Sequence, residues 1–227
     1  MWFETIYAAS TWVLPVLFAI TLHEASHGYV AWRLGDDTAH RLGRVTFNPL
    51  KHVDPFGTVI LPAMLFIAGG FLFGWAKPVP VNFGRLNRPR RDMVLVAAAG
   101  PASNLVLAAI SALGFHLLPF ASETLGNWLG TTLVRSVYLN LILAVLNMLP
   151  LPPLDGGRVA VGLLPRTLAL PLARLERWGL LILIGGLFLL PWLGSMIGLN
   201  LSLFQWLILT PIEWLWPIYS ALSGGLI

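Results

Sequence analysis

The sequence predicts an all-α polytopic membrane protein, with five to six transmembrane helices and a short membrane-associated β or re-entrant region. Of its 227 residues, 57% are hydrophobic and only 11% are charged, whereas about 25% of a soluble globular chain is charged. Several apolar stretches reach the roughly 20 residues that a membrane-spanning helix needs. The net charge of +4 is too small to indicate nucleic-acid binding, and the lack of cysteine excludes disulfides and thiolate ligands.

Five apolar stretches are predicted to cross the membrane within a single integral-membrane domain, residues 1–227. They cover approximately residues 6–34, 92–119, 131–150, 178–195 and 199–222. No stretch between them is long enough to form an inserted soluble module. The lipid bilayer is therefore the expected surrounding of the whole chain.

A sixth apolar stretch, residues 55–76, contains Pro62 and the pair Gly69-Gly70. The loops that flank it are basic, with Arg41, Arg44 and Lys51 before it and Lys77, Arg85, Arg88, Arg90 and Arg91 after it. Basic loops collect on the cytoplasmic face of a membrane. We therefore expect residues 55–76 to enter the membrane and return on the same face, with the N-terminus outside; six crossings are the alternative.

Two short segments beside this stretch alternate in a way that is typical of strands. They read GRVTFNP (43–49) and KPVPVNF (77–83), and the prolines of the second restrict it to the edge of a sheet. Such an edge could pair with the backbone of an extended peptide. An interfacial loop is the alternative for both segments. His52, next to Lys51 in the basic loop, is expected to be solvated.

Three ionisable residues stand together inside the first apolar stretch, in the sequence HEASH: His23, Glu24 and His27. Residues four apart on a helix project from one face. Two imidazoles at that spacing can bind one zinc ion while the glutamate between them acts on water. Buried histidines hydrogen-bonded to Glu24 are the alternative, but so many ionisable groups in a spanning helix need a strong compensating interaction.

Asp155 is the best third ligand among the ten acidic residues, because a catalytic zinc commonly has three protein ligands. It follows an apolar helix in the sequence NMLPLPPLDGGR (147–158). Prolines end the helix before it, and Gly156 and Gly157 allow close backbone approach. The five-crossing topology returns this segment to the face near the histidine pair. An aspartate in an interfacial turn is the alternative.

HEASH, AGPASN (99–104) and NMLPLPPLDGG (147–157) occur in that order on three apolar helices. With these motifs the chain resembles the site-2 protease family of intramembrane zinc metalloproteases, and in particular its compact prokaryotic members without an inserted PDZ domain. The resemblance covers roughly residues 10–165. It suggests a catalytic core over about 6–165, followed by a C-terminal helix pair at about 170–222.

The resemblance implies one Zn²⁺ per chain, bound by His23, His27 and Asp155, with Glu24 as the catalytic base. It also implies that Asn147 positions substrate or the oxyanion and that Asn104 supports the middle core helix. The expected substrates are membrane proteins with a transmembrane segment, cut in the cell membrane nearer its cytoplasmic face. A membrane metal transporter and a catalytically silent zinc-binding scaffold are the alternatives. The sequence does not indicate an oligomeric state.

Overall fold

The structure, a computed structural model, describes residues 2–60, Met64 and residues 77–227. All regular secondary structure in these residues is helical. The α-helices are α1 (Trp2–Arg33), α2 (Thr38–Arg41), α3 (Pro89–Leu113), α4 (Glu123–Asn147), α5 (Asp155–Leu163), α6 (Arg166–Arg174), α7 (Glu176–Ile184), α8 (Leu190–Met196) and α9 (Thr210–Leu222). Short 3₁₀-helices cover Pro49–Lys51, Phe83–Arg85 and Gly114–Phe120, and π-helical turns cover Pro55–Ile60, Gly185–Leu189 and Gln205–Leu209.

Four helical segments in the described part of the chain are long and apolar enough to cross a bilayer. They are Ile6–Arg33, Pro89–Phe120, Glu123–Asn147 and Glu176–Met196. Helices that expose apolar side chains outward as well as inward are typical of membrane spans, and large apolar side chains along all four segments are exposed. The prediction of a helical membrane protein is confirmed. The predicted crossing at 199–222 is not among the four segments, so a count of five or six crossings is not confirmed.

Helices α1, α3 and α4 pack against one another, and α5 packs on α3. Small residues let the helices approach closely, such as Ala108 and Ala112, which are fully buried on α3. They belong to a core cluster that also contains residues of α4, the turn before α9 and α9 itself: Val137, Leu141, Ile208, Ile212 and Tyr219. The last helix is therefore part of the same core.

The two basic loops contact each other at the C-terminal end of α1. Arg85 pairs with Asp37 at 3.0 Å, and the backbone N–H of Asn82 donates to the buried Asp36 carboxylate at 2.6 Å. Burial raises the pKa of Asp36, but hydrogen bonds from Thr38 and Asn82 outweigh burial and hold that pKa below its usual value. The carboxylate thus stays ionised and ties the loops together.

This loop contact bears on the path of residues 55–76. A single crossing would place the two loops on opposite faces of the membrane, whereas they lie together. Residues 55–60 form a π-helical turn, but 61–63 and 65–76 lie outside the described residues. The re-entrant path therefore stays a prediction, and the loop contact agrees with it.

The prediction of strands at 43–49 and 77–83 is wrong. The first segment consists of bends and a 3₁₀ turn, and the second is irregular until the 3₁₀-helix at Phe83. Pro78 and Pro80 lack the N–H that a β-ladder requires. The alternation of valine and proline therefore imitates a strand pattern without supplying its hydrogen bonds.

The two segments nevertheless lie side by side. The Arg44 guanidinium donates to the Lys77 carbonyl at 2.7 Å, and the Lys77 N–H donates to the His52 carbonyl at 2.9 Å. His52 is buried, with Nε2 3.0 Å from the Thr46 carbonyl oxygen. The expectation that His52 is solvated is therefore wrong, because its ring serves to hold the loop together.

The loop contact predicts the labelling pattern of single cysteines in this cysteine-free chain. Leu42 is 61% exposed and Arg88 is also exposed, so Leu42→Cys and Arg88→Cys should both react with a membrane-impermeant maleimide from the same side of sealed vesicles. Inverted vesicles provide the control, since both labels should then change sides together. Labelling from opposite sides would establish a single crossing between the two positions.

Candidate metal centre

The side chains of His23 and His27 meet the Asp155 carboxylate in the interior of the helix bundle. The two imidazole Nε2 atoms are 3.1 Å apart. Asp155 Oδ2 lies 3.1 Å from Nε2 of His23 and 3.3 Å from Nε2 of His27. All three residues are buried, and they form a group that could hold a metal ion. The structure therefore brings together the three predicted ligands.

The other ring nitrogens decide where the imidazole protons lie. His27 Nδ1 is 2.7 Å from the Val96 carbonyl oxygen, which only accepts, so Nδ1 carries the proton. His23 Nδ1 is 2.6 Å from Asn104 Oδ1. The Asn104 amide nitrogen donates to the Ala19 carbonyl, which fixes its oxygen towards His23. Both Nε2 atoms are therefore left with lone pairs in the neutral imidazoles.

This arrangement fits a zinc ion. In the neutral tautomers two imidazole lone pairs and a carboxylate oxygen converge, and a cation between them would relieve their mutual repulsion. Ligands at about 2.0–2.1 Å from zinc in a tetrahedron are roughly 3.3 Å apart, close to the 3.1–3.3 Å separations of these atoms. The hydrogen bonds to Nδ1 are the outer contacts that metal-binding histidines usually make.

A chain of buried polar side chains extends from His23 into the apolar core. Asn104 Nδ2 donates to Asn140 Oδ1 at 2.8 Å, and Asn140 Nδ2 donates to the Ser136 carbonyl at 2.8 Å. Ser136 and Ser111 then share a hydrogen bond of 2.7 Å. Asn140 is fully buried and helps to fix the orientation of Asn104. Sequence reasoning missed it, although an asparagine in an apolar helix is itself a signal.

Gly100 allows α3 to approach the histidine pair. A Cβ atom at this position would lie 2.4 Å from His27 Nε2 and 2.6 Å from His23 Cε1. The rings cannot move aside without breaking the Nδ1 hydrogen bonds that orient them. Glycine is therefore required here by the close contact between α3 and the imidazoles.

Glu24 lies on the same helix between the two histidines and is half-buried. Its Oε2 accepts a hydrogen bond of 2.7 Å from the backbone N–H of Val79. That N–H belongs to the loop segment between Pro78 and Pro80. The loop after the 55–76 stretch thus holds the carboxylate of the residue next to His23.

Asn147 is the last residue of α4 and is half-buried. Its side-chain amide donates to the Leu143 carbonyl of the same helix at 3.0 Å. Its side-chain hydrogen bond therefore stays within α4 and does not join the network around His23, His27 and Asp155. Its predicted role towards substrate stays a prediction.

Comparisons with known proteins give relatives that are named as zinc metalloproteases. The model of peptidase family M50 matches residues 120–190. The chain is 43% identical over 190 residues to "Putative zinc metalloprotease YwhC" of Bacillus subtilis, covering 81% of each chain. It is 35% identical over 170 residues to "Putative zinc metalloprotease Rip2" of Mycolicibacterium smegmatis, covering 74% of this chain and 62% of the relative. No solved structure gives a significant match.

The role of Asn104 predicts how its loss affects metal binding. Asn104→Leu removes the acceptor that keeps the proton on His23 Nδ1, so zinc affinity should fall by about 10- to 100-fold. Equilibrium metal titration of the purified protein measures this. Ser111→Ala is the matched control, since Ser111 lies on the same helix at the far end of the polar chain. Equal losses in both variants would show that only general packing matters.

Proposed function

The chain belongs to peptidase family M50, the site-2 protease family, and from this premise we propose that it is an intramembrane zinc metalloendopeptidase. It hydrolyses peptide bonds in or near transmembrane segments of membrane proteins, as in regulated intramembrane proteolysis. One observation carries the proposal: ligand atoms of His23, His27 and Asp155 converge at 3.1–3.3 Å, and a fourth ionisable group, Glu24, lies next to His23 on the same helix. A purely structural metal site does not require that fourth group.

His23, His27 and Asp155 would hold one Zn²⁺ per chain. When bound, zinc supplies Lewis acidity, which polarises a carbonyl oxygen and makes water a better nucleophile. Glu24 takes the proton from the attacking water and hands it to the leaving amine. The Val79 N–H donates to Glu24 Oε2 at 2.7 Å, which restricts the rotation of the carboxylate.

Asn147 is proposed to contact the substrate carbonyl during the reaction. An asparagine amide has two N–H donors, and one of them serves the Leu143 carbonyl. The second can donate to a substrate oxygen. Removal of one such donor from an oxyanion site typically costs about 10²–10³ in kcat.

The protein is proposed to be a multi-pass protein of the cell membrane, with its active site nearer the cytoplasmic face. Arg33 ends α1 in the basic region, so His27 and His23 lie roughly 9 and 15 Å below it at about 1.5 Å per residue. A peptide bond at that depth is normally part of a helix. The substrate helix must therefore unwind locally before one of its peptide bonds can come within reach of Glu24.

The proposal predicts loss of cleavage but different zinc contents for two substitutions at the site. Glu24→Gln keeps the size of the side chain but removes the base, so zinc content should stay at about one per chain while cleavage falls at least about 100-fold. Asp155→Ala removes a ligand and should lose zinc and cleavage together. Metal analysis and cleavage of a transmembrane model substrate measure both quantities.

Chelation of the wild-type protein is the control for this pair. Cleavage should stop on removal of zinc and return when zinc is added back. Full cleavage by Glu24→Gln would exclude Glu24 as the base. Zinc binding without cleavage by the wild-type chain would favour the silent scaffold, and metal flux across sealed vesicles would favour the transporter.

A further inference from the structure

Helix α7 lies outside the three sequence motifs, yet it contacts the turn that leads from α4 to Asp155, residues 148–154 (the Asp155 turn). A Cβ atom on Gly179 of α7 would lie 1.5 Å from the Pro152 carbonyl oxygen and 2.7 Å from Pro153 Cδ. Gly179 is buried, and Pro152 stands three residues before Asp155. Backbone of α7 therefore touches backbone of the turn, with no side chain between them.

The other side of the same turn is equally close to the start of α5. A Cβ on Gly156 would lie 2.2 Å from the Met148 carbonyl oxygen, and one on Gly157 would lie 2.2 Å from the Pro152 nitrogen. The turn is thus held between the first residues of α5 and the middle of α7. Because Asp155 begins α5, any shift of the turn moves a metal ligand.

We propose that Gly179 is a positioning residue: by direct contact with Pro152, α7 holds the Asp155 turn at the distance that metal binding requires. This inference rests on the proposed function, because it assumes that Asp155 is a ligand. A side chain at position 179 forces α7 and the turn apart by about 1.5 Å to restore even a 3.0 Å contact. Proline residues stiffen the turn, so the displacement is transmitted to Asp155 instead of being absorbed.

An exposed ion pair also connects α5 with α7, but it contributes little to stability. Arg158 of α5 and Glu176 of α7 are 3.7 Å apart and substantially exposed, and such pairs add little to stability. The contact at Gly179 is buried and involves backbone atoms that cannot rearrange cheaply. The positioning effect is therefore assigned to Gly179.

The test compares two glycine-to-alanine changes in the same apolar segment. Gly179→Ala introduces the clash with Pro152, whereas a Cβ on Gly185 meets no atom within 4 Å among the described residues. Both variants add one methyl group within the same apolar segment, Glu176–Met196, so Gly185→Ala is the control for the glycine-to-alanine change itself. Co²⁺ replaces zinc in the titration, since its visible absorption reports the coordination geometry as well as the affinity.

We expect Gly179→Ala to bind Co²⁺ at least about 10-fold more weakly, with an altered spectrum, and Gly185→Ala to match the wild type. Wild-type affinity and spectrum in folded Gly179→Ala would overturn the inference while leaving the proposed function intact. A wild-type chain that binds neither metal would overturn the proposed function instead.

A second measurement needs no substitution and covers the case in which Gly179→Ala does not fold. If the contact couples α7 to the metal site, zinc must stabilise α7 as α7 stabilises zinc binding. Zinc should therefore slow amide hydrogen exchange within Glu176–Ile184 of the wild type, but not within Gly114–Phe120 at the far end of α3. Identical exchange in Glu176–Ile184 with and without zinc would overturn the inference.

Discussion

The arrangement of the candidate metal site depends on which ring nitrogen of His23 and of His27 carries the proton. The Val96 carbonyl and the Asn104 amide oxygen keep the protons of His27 and His23 on Nδ1, which turns both Nε2 lone pairs towards Asp155. In the neutral tautomers, a cation between these atoms would relieve the repulsion of the lone pairs and the carboxylate in a buried setting, where charge interactions are strong. Metal binding at this site, as proposed, would therefore link the stability of the fold to the bound metal.

The helix packing follows from this requirement. A backbone carbonyl and an amide of α3 must reach two rings on α1, and Gly100 permits that approach because any Cβ would overlap His27. Asn104 must keep one orientation, and Asn140 helps to enforce it from α4. Three helices thus cooperate to orient two side chains. A buried polar network of this kind is stable in an apolar core only when its members are paired.

The sequence predicts the parts of the site that depend on local spacing. The four-residue spacing on a helix predicts that His23 and His27 share one face, with Glu24 between them in the sequence. The prolines that end an apolar helix single out Asp155 among the acidic residues. Asn140 and Gly179 act through other residues, so no spacing along the chain indicates their partners. The strand prediction at 77–83 fails for a different reason, since hydrophobic alternation cannot replace the N–H groups that Pro78 and Pro80 lack.

Because residues 78–80 do not form a strand, their role in contacting Glu24 can be distinguished from the pairing with an extended peptide that the sequence predicted. Within residues 78–80 only Val79 has a backbone N–H, and it is committed to Glu24 Oε2. A substrate that paired with this stretch as a strand would have to take this donor away from Glu24, the proposed base. The loop is therefore suited to orienting Glu24 and poorly suited to holding an extended peptide there. Under the proposed function, the backbone of an unwound substrate would therefore pair with other groups near the three candidate ligands.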